Sequence, residues 1–374
     1  MSNEGKPSET ALLVGGAQRK GRKLSTRGRW YRMLSLACVV AVASLVPASL
    51  VAANVSSAAT GKVASGAKIT VAFSQIYCGN TWRATEDKAF YTEIAAFEKL
   101  GVVSGVRYLC ANDNVATQES QIGDLILDHP SVLLIDPGSA TALNGVIGQA
   151  KAAHIPVLVF DSGPVTSTYP YELDGDIPAL MTVLGQYIVQ RLHGAGNVLE
   201  VRGLPGVADE LVFHQTLLKV FKPYPKIHLV SSVWGKWTDS VTETQVASVL
   251  SGLPPIAAVA SQGGSYGAVE AFEAAGRPIP LVVGDDRGTF IKWWIAENKK
   301  NGYSTLSSET DPGIAAGAVY MGVQIALGKK VPRVTNMPIL TITQSTLAEY
   351  ANVPVSDVAV SHYSMTWFQK NLMG

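Results

Sequence analysis

Residues 131–161 read SVLLIDPGSATALNGVIGQAKAAHIPVLVFD. Two short apolar runs, SVLLID at 131–136 and IPVLVFD at 155–161, flank a stretch of helical character over 139–153. Neither run alternates apolar and polar residues, so each suits a strand buried on both faces. Strand, helix and strand in this order form the unit of a parallel sheet with helices on its two sides.

The same unit recurs in both directions along the chain. Upstream, KITVAFS (68–74) precedes a predicted helix over 84–100, where Phe90, Ile94, Phe97 and Leu100 fall at helical spacing. VRYLC (106–110) leads to a helix predicted from Asn114 to Asp128, with Ile122, Leu125 and Ile126 on its buried face. Downstream, NVLEVRG (197–203), KIHLVSSV (226–233), PIAAVAS (255–261) and PLVVGDD (280–286) each carry a helix of their own. The rhythm breaks at the turn-rich loop Ser162–Asp176 and again near Ser308–Pro312, ahead of a helix predicted over Pro312–Leu327. These breaks predict an α/β protein with two doubly wound lobes. One spans 67–165 and is completed by about 310–342; the other spans 175–308, and 343–374 form a C-terminal tail.

Composition fits that reading. The chain has 374 residues, 47% hydrophobic and 16% charged, which excludes a disordered chain, and its 3 cysteines exclude a disulfide-framework miniprotein. The net charge of +1 averages two unlike parts. The first 32 residues carry eight Lys/Arg against Glu4 and Glu9, and Met33–Val55 has no charge; beyond Ala53 there are 22 basic and 27 acidic residues. A basic arm, an apolar run and then small residues is the layout of an export signal, here 1–53, with a linker over 54–66. Cleavage is expected after Val51-Ala52-Ala53 or Ser57-Ala58-Ala59; an uncleaved anchor is the alternative, since the run nearly reaches bilayer length. In either case the body lies outside the cytoplasm, in the periplasm or at the cell surface. Ser35 stands where a lipid-attachment box ahead of Cys38 would carry Leu, which argues against a lipoprotein. The six histidines are scattered and no CxxC occurs, so no metal site is expected.

Ligands of open α/β sheets bind beyond the carboxyl ends of the strands. Those ends supply Asn80 and Trp82, Asp161, Trp237, Gln262, Asp286 with its neighbour Asp285, and Glu309 after Ser308. Carboxylates accept hydrogen bonds from hydroxyls, carboxamides both donate and accept, and indole faces stack on C–H surfaces. Together they suit an uncharged polyhydroxylated ligand held between the lobes. Each also has a structural reading: Asn80 and Asp161 as caps or turn formers, Trp82 and Trp237 as packing, Asp285 as structural. Trp234, Trp293 and Trp294 read as core or helix-face residues.

Residues 67–342 resemble the sugar-binding proteins of ABC importers, the ribose- and galactose-binding type (type I periplasmic binding proteins). The segments ITVAFS…NTW, HPSVLLIDPGSATAL…AKAAHIPVLVFDS, WGKWTDS…VASVLSGLPPIAAVAS, GGSYGAVEAFEAAGRPIPLVVGDD and ETDPGIAAGAVYMGVQIALGKKVP carry the resemblance by their order. It implies two Rossmann-like lobes joined by three crossovers, closing on one small sugar or polyol as a monomer. The complex is delivered to a membrane permease, and no cofactor or nucleic acid is involved. It places Asn80, Trp82, Asp161, Trp237, Gln262 and Asp286 on the family's ligand-binding positions. Two departures stand out: Ser162, not Arg, follows Asp161, and GLPGVADELVFHQ (203–215) carries no Arg.

Three other readings compete. Gly263-Gly264-Ser265-Tyr266-Gly267 matches the G-x-S-x-G elbow of a serine hydrolase, with Asp286 and His362 following in order. The glycines also suit a plain strand-to-helix turn, and no oxyanion segment precedes them. A DNA-binding regulator needs a helix-turn-helix where this chain has its apolar run. A membrane-held sensor would use the same module with residues 33–51 uncleaved. Finally, Cys78 and Cys110 end strands expected to be neighbours at the cleft mouth, which in an exported chain predicts a disulfide.

Overall fold

The computed structural model describes residues 68–373. The expected export signal and linker, 1–66, and with them Cys38, lie outside the described residues. The chain opens with β1 (Ile69–Gln75), α1 (Thr81–Lys99), β2 (Val103–Cys110), α2 (Val115–Leu127), β3 (Val132–Asp136), α3 (Asn144–Ala152), β4 (Val157–Phe160) and β5 (Tyr171–Gly175). It continues with α4 (Ile177–Arg191), β6 (Ala195–Arg202), α5 (Ala208–Phe221), β7 (Lys226–Trp234), α6 (Asp239–Leu250), β8 (Ala258–Ser261), α7 (Ser265–Ala274), β9 (Leu281–Val283) and α8 (Gly288–Asn301). β10 (Ser307–Glu309), α9 (Ile314–Ala326), β11 (Val334–Met337), β12 (Leu340–Ile342), a 3-10 turn (Leu347–Tyr350) and α10 (Met365–Asn371) complete it.

Two parallel sheets result. The first has six strands in the order β11-β5-β4-β3-β1-β2, the second four in the order β7-β6-β8-β9. An antiparallel pair, β10 and β12, is separate from both. The central strands β3 and β4 are buried at every residue, as their unalternating sequence requires. Phe73, Phe90 and Phe160 meet with ring centroids 5.0 and 5.2 Å from Phe73, forming the middle of the first core. Each such ring contributes roughly 1.5–3 kcal/mol by leaving water. α9 returns after the second sheet and packs on the first, with Ala315, Ala318, Val319 and Met321 all buried.

The 162–176 loop differs from its sequence reading, because Tyr171–Gly175 within it form β5. Only Leu173, Asp174 and Gly175 are buried, and Leu173 alone of them is apolar in side chain, so side-chain pattern signals little. The strand is held by backbone pairing to β4 and β11 on either side. The tail after 343 is folded as well: Leu347 enters the core of the second lobe, Phe368 and Leu372 that of the first.

Glu93 on α1 is 7% exposed and its Oε1 has no hydrogen-bond partner. Burial pushes its carboxyl up to about 7. The folded protein therefore binds more protons than the unfolded chain as pH rises from about 4.5 to 7, and stability falls across that window. We expect Glu93→Gln to add roughly 1 kcal/mol at pH 8, after allowing for solvent screening, and nothing at pH 4. Urea melts at the two pH values check this; equal stability at pH 8 contradicts it.

Candidate functional site

The carboxyl ends of both sheets face one cavity of about 50 Å³. That is several times the roughly 10–15 Å³ an ordered water needs, which fits a site for a small solute. From the first lobe come Asn80, Trp82, Arg83, Asp161 and Ser162; from the second, Asp209, Phe213, Trp237, Gln262 and Arg287. Ile177, Glu309 and Thr310 line it where the chain crosses between them.

Asn80 caps α1, its Oδ1 accepting the Arg83 backbone N–H at 2.8 Å. Capping starts the helix at Thr81, so Arg83 lies in the first turn, beside the cleft. The Arg83 guanidinium is held by three carboxylates: Asp161 at 2.5 Å, Glu86 at 2.8 Å and Asp136 at 3.2 Å. A further N–H donates to Ser162 Oγ at 3.1 Å. Burial by itself would lower the Arg83 pKa, but Asp136, Asp161 and Glu86 outweigh it and hold the group well above its ordinary value. Burial pushes Asp136 up to about 7 against the pull of Arg83, and raises Glu86 as well.

On the opposite wall Lys236 and Trp237 both adopt left-handed conformations, φ 51° and 53°. That turn lays the Trp237 indole over two glycines. A Cβ on Gly203 would stand 2.1 Å from the ring and one on Gly263 3.0 Å, so neither position admits a side chain without moving Trp237. The same turn presents the Trp237 carbonyl to two donors, Arg287 Nη2 at 2.8 Å and Asn80 Nδ2 at 3.2 Å. The second bond crosses between the lobes. So do the contacts of Tyr77 Oη with Thr238 Oγ1 at 3.4 Å and of Lys236 Nζ with Asp113 at 3.7 Å. Arg287 is anchored by Asp285 at 2.8 Å.

Six of the seven residues expected from sequence line the cavity: Asn80, Trp82, Asp161, Trp237, Gln262 and Glu309. Asp286 does not. Asp285 at φ 83° turns the chain so that Arg287 faces the cleft, while Asp286 is buried with neither carboxylate oxygen hydrogen-bonded. Burial, with Asp285 close by, raises its pKa well above the usual range. Gln262 is at the cavity but committed within its own lobe, accepting from Gly203 N–H at 2.9 Å and donating towards Glu210. Glu309 Oε1 accepts the Asp285 N–H at 3.0 Å.

Sequence reading missed the two arginines. The positions where the resemblance led us to look for Arg do lack it, but Arg83 and Arg287 bring guanidiniums into the cleft from elsewhere. The signal for Arg83 was its place directly after Asn80-Thr81-Trp82, one turn into a capped helix. Asp209 was also missed, although it stands in the first turn of α5. Burial and the nearby Asp174 and Asp161 raise its pKa well above the usual range, and Asp174 is raised too.

The hydrolase elbow is not assembled. Ser265 is fully buried, with its Oγ donating to the Gly284 carbonyl at 3.1 Å and its N–H to Asp285 at 2.6 Å. His362 lines a separate groove, with Thr85 and Tyr363, and not the cleft. Gly267 is required by packing, since a Cβ there would stand 1.9 Å from the Asp239 carbonyl oxygen. Of the other tryptophans, Trp294 is core and Trp234 lies beneath Arg202 at 4.3 Å. Cys78 and Cys110 are joined in a disulfide at the cleft rim. Among the described residues no cluster could hold a metal ion, and no helix is long and apolar enough to cross a membrane.

Residues 71–330 match the family described as periplasmic binding protein domain. The xylitol-binding protein of Mycolicibacterium smegmatis is 27% identical over 179 residues, 47% of this chain and 51% of that protein. The chain thus spans about half the length of that relative. The ribose import binding protein of Bacillus subtilis is 25% identical over 240 residues, 63% of this chain and 75% of its own length. Among solved structures, an ABC transporter solute binding protein from Thermobispora bispora superposes with a TM-score of 0.77 at 28% identity, covering 82% of this chain and 95% of that one.

Proposed function

The chain belongs to the periplasmic binding protein domain family, and on that premise we propose that it captures a small sugar or polyol between its lobes and passes it to the membrane permease of an ABC importer. The family is one of binding proteins, not enzymes. The observation that carries the proposal is the cleft wall. Guanidiniums line it from both sides, as do carboxyl groups of Asp161, Asp209 and Glu309, and the Trp82 and Trp237 indoles supply apolar faces. Hydroxyl groups need both donors and acceptors, and C–H faces need a flat apolar surface. The ligands named for the relatives, xylitol and ribose, are of this kind.

The mechanism is hinge closure: a solute touching both lobes favours the closed arrangement, which the permease recognises. Contacts such as Asn80 to Trp237 form only when the lobes meet, so they add to the difference between open and closed states. The binding protein acts as an exported monomer, and the basic arm ahead of the apolar run supports export. Asn80, Trp82, Arg83, Asp161, Trp237 and Arg287 are the proposed contact residues.

Thermal unfolding of the purified protein against pentoses, hexoses, furanose sugars and polyols tests the proposal. A solute at 100 times its Kd adds about 2.7 kcal/mol, a shift of several degrees. Trp237→Ala is expected to weaken binding of that solute about tenfold, a loss of about 1.4 kcal/mol. A flat response to every sugar and polyol overturns the proposed ligand class.

A further inference from the structure

Three segments cross between the lobes: 175–177, 309–314 and 337–340. The chain then crosses a fourth time. From Leu347 it runs through 354–363, where Ala359 still packs in the second lobe's core and Val358 already in the first's, and it ends in the first lobe's core with Phe368 and Leu372. This crossing lies beyond the residues that match the family, which end at 330.

Its contacts are specific. Val358 forms an antiparallel bridge with Arg287: Gly288 N–H donates to the Asp357 carbonyl and Ala359 N–H to the Asp286 carbonyl, both at 2.9 Å. The Val358 N–H reaches Thr85 Oγ1 on α1 of the first lobe at 3.4 Å. At the hinge, Asp311 Oδ2 accepts the Ser361 N–H at 3.0 Å and the Tyr363 hydroxyl at 3.2 Å. Val358 and Ala359 are buried at 2% and 1% exposure. The fit leaves no slack at Gly288, where a Cβ would stand 1.9 Å from the Pro354 carbonyl oxygen.

We propose that residues 354–363 are a strap that positions Arg287 in the cleft and, by gripping α1, the Asp286–Gly288 loop and the hinge together, restrains how far the lobes open. The strap holds the backbone on either side of Arg287. The Arg287 guanidinium in turn donates to the Trp237 carbonyl, the atom that also receives Asn80 from the other lobe. Displacing the strap therefore shifts the cleft arginine and frees the interlobe contact at once. The inference rests on the proposed reading of the cleft as the binding site, but its test uses no ligand.

The experiment is done on the full chain without added solute. Spin labels replace the exposed Leu127 of the first lobe and Leu218 of the second, and their separation is measured by electron-electron resonance. Amide exchange at Ala359 is followed in parallel. Gly288→Ala pushes on the strap from the second lobe, and Asp311→Ala removes its hinge anchor. In both we expect at least tenfold faster exchange at Ala359 and a broader, longer distance distribution than in wild type. Faster exchange with an unchanged distance distribution overturns the restraint. Unchanged exchange in both variants overturns the assignment of these contacts as what holds the strap. A flat response to the solute panel would instead remove the binding reading and leave this result standing.

Discussion

Arg83→Ala is expected to abolish detectable solute binding and to cost about 3–5 kcal/mol of stability, the usual range when one partner of a buried ion pair is removed. Arg83 is 5% exposed and is the shared cation of Glu86, Asp136 and Asp161. Without it three buried carboxyls face one another, with Gln75 Nε2 still donating to Glu86 at 2.6 Å. The sign of the pH dependence follows from the carboxyls. Asp136, already raised to about 7, and Glu86 rise further when the guanidinium is gone, so the folded variant binds more protons than its unfolded chain. The deficit is therefore larger at pH 8 than at pH 5, where protonation relieves it. Arg83→Lys keeps the charge but cannot serve three carboxylates and Ser162 with one planar fork, so it recovers stability in part and binding poorly. Urea melts at the two pH values and thermal shifts with the solute identified by the panel check these outcomes. Wild-type stability in Arg83→Ala at pH 8 would show that the carboxyls are not held by it.

Replacing Cys78 and Cys110 together with Ala is expected to lower stability by about 3.5 kcal/mol, from the chain entropy released when a loop of this length is opened. The two residues are separated by 32 positions. The melting temperature should fall by roughly 5–10 °C, and reductant should produce the same fall in the wild type. The bond also ties together the two loops that reach the second lobe: Tyr77 and Asn80 stand on one, Asp113 on the other. Solute affinity should weaken more than in a variant of equal stability loss placed in the core. An unchanged melting temperature in the double variant would mean that strand pairing of β1 with β2 already fixes these loops.

The strands were legible because burial on two faces forces unbroken apolar runs, and that pattern survives in one dimension. β3 (Val132–Asp136) fills all but the first residue of the run 131–136, and β4 (Val157–Phe160) is the middle of the run 155–161. Asn114 and Asp128 bracket α2 as expected, Asn114 accepting the Thr117 N–H. β5 was not legible, because its first two residues, Tyr171 and Glu172, are only half-buried and its pairing to β4 and β11 runs through the backbone, which leaves no unbroken apolar run. The cysteine pair was legible from its place at the ends of neighbouring strands.

In the cleft the division falls elsewhere. Sequence alone determined that two parallel sheets would put the ends of their strands, with Asn80, Trp82, Asp161, Trp237, Gln262 and Glu309, around one site. Tertiary structure decided which groups face that space. Arg83 enters because Asn80 caps α1 one turn ahead of it, and Arg287 replaces Asp286 because Asp285 takes a left-handed turn. It also decided that Gln262 is spent on its own lobe and that a tail after 343 becomes a strap. Strand periodicity is a local consequence of burial and can be read from neighbours in sequence. The direction of a side chain at the end of a strand depends on a few backbone dihedrals and on segments far away in the chain, which only the folded molecule brings together.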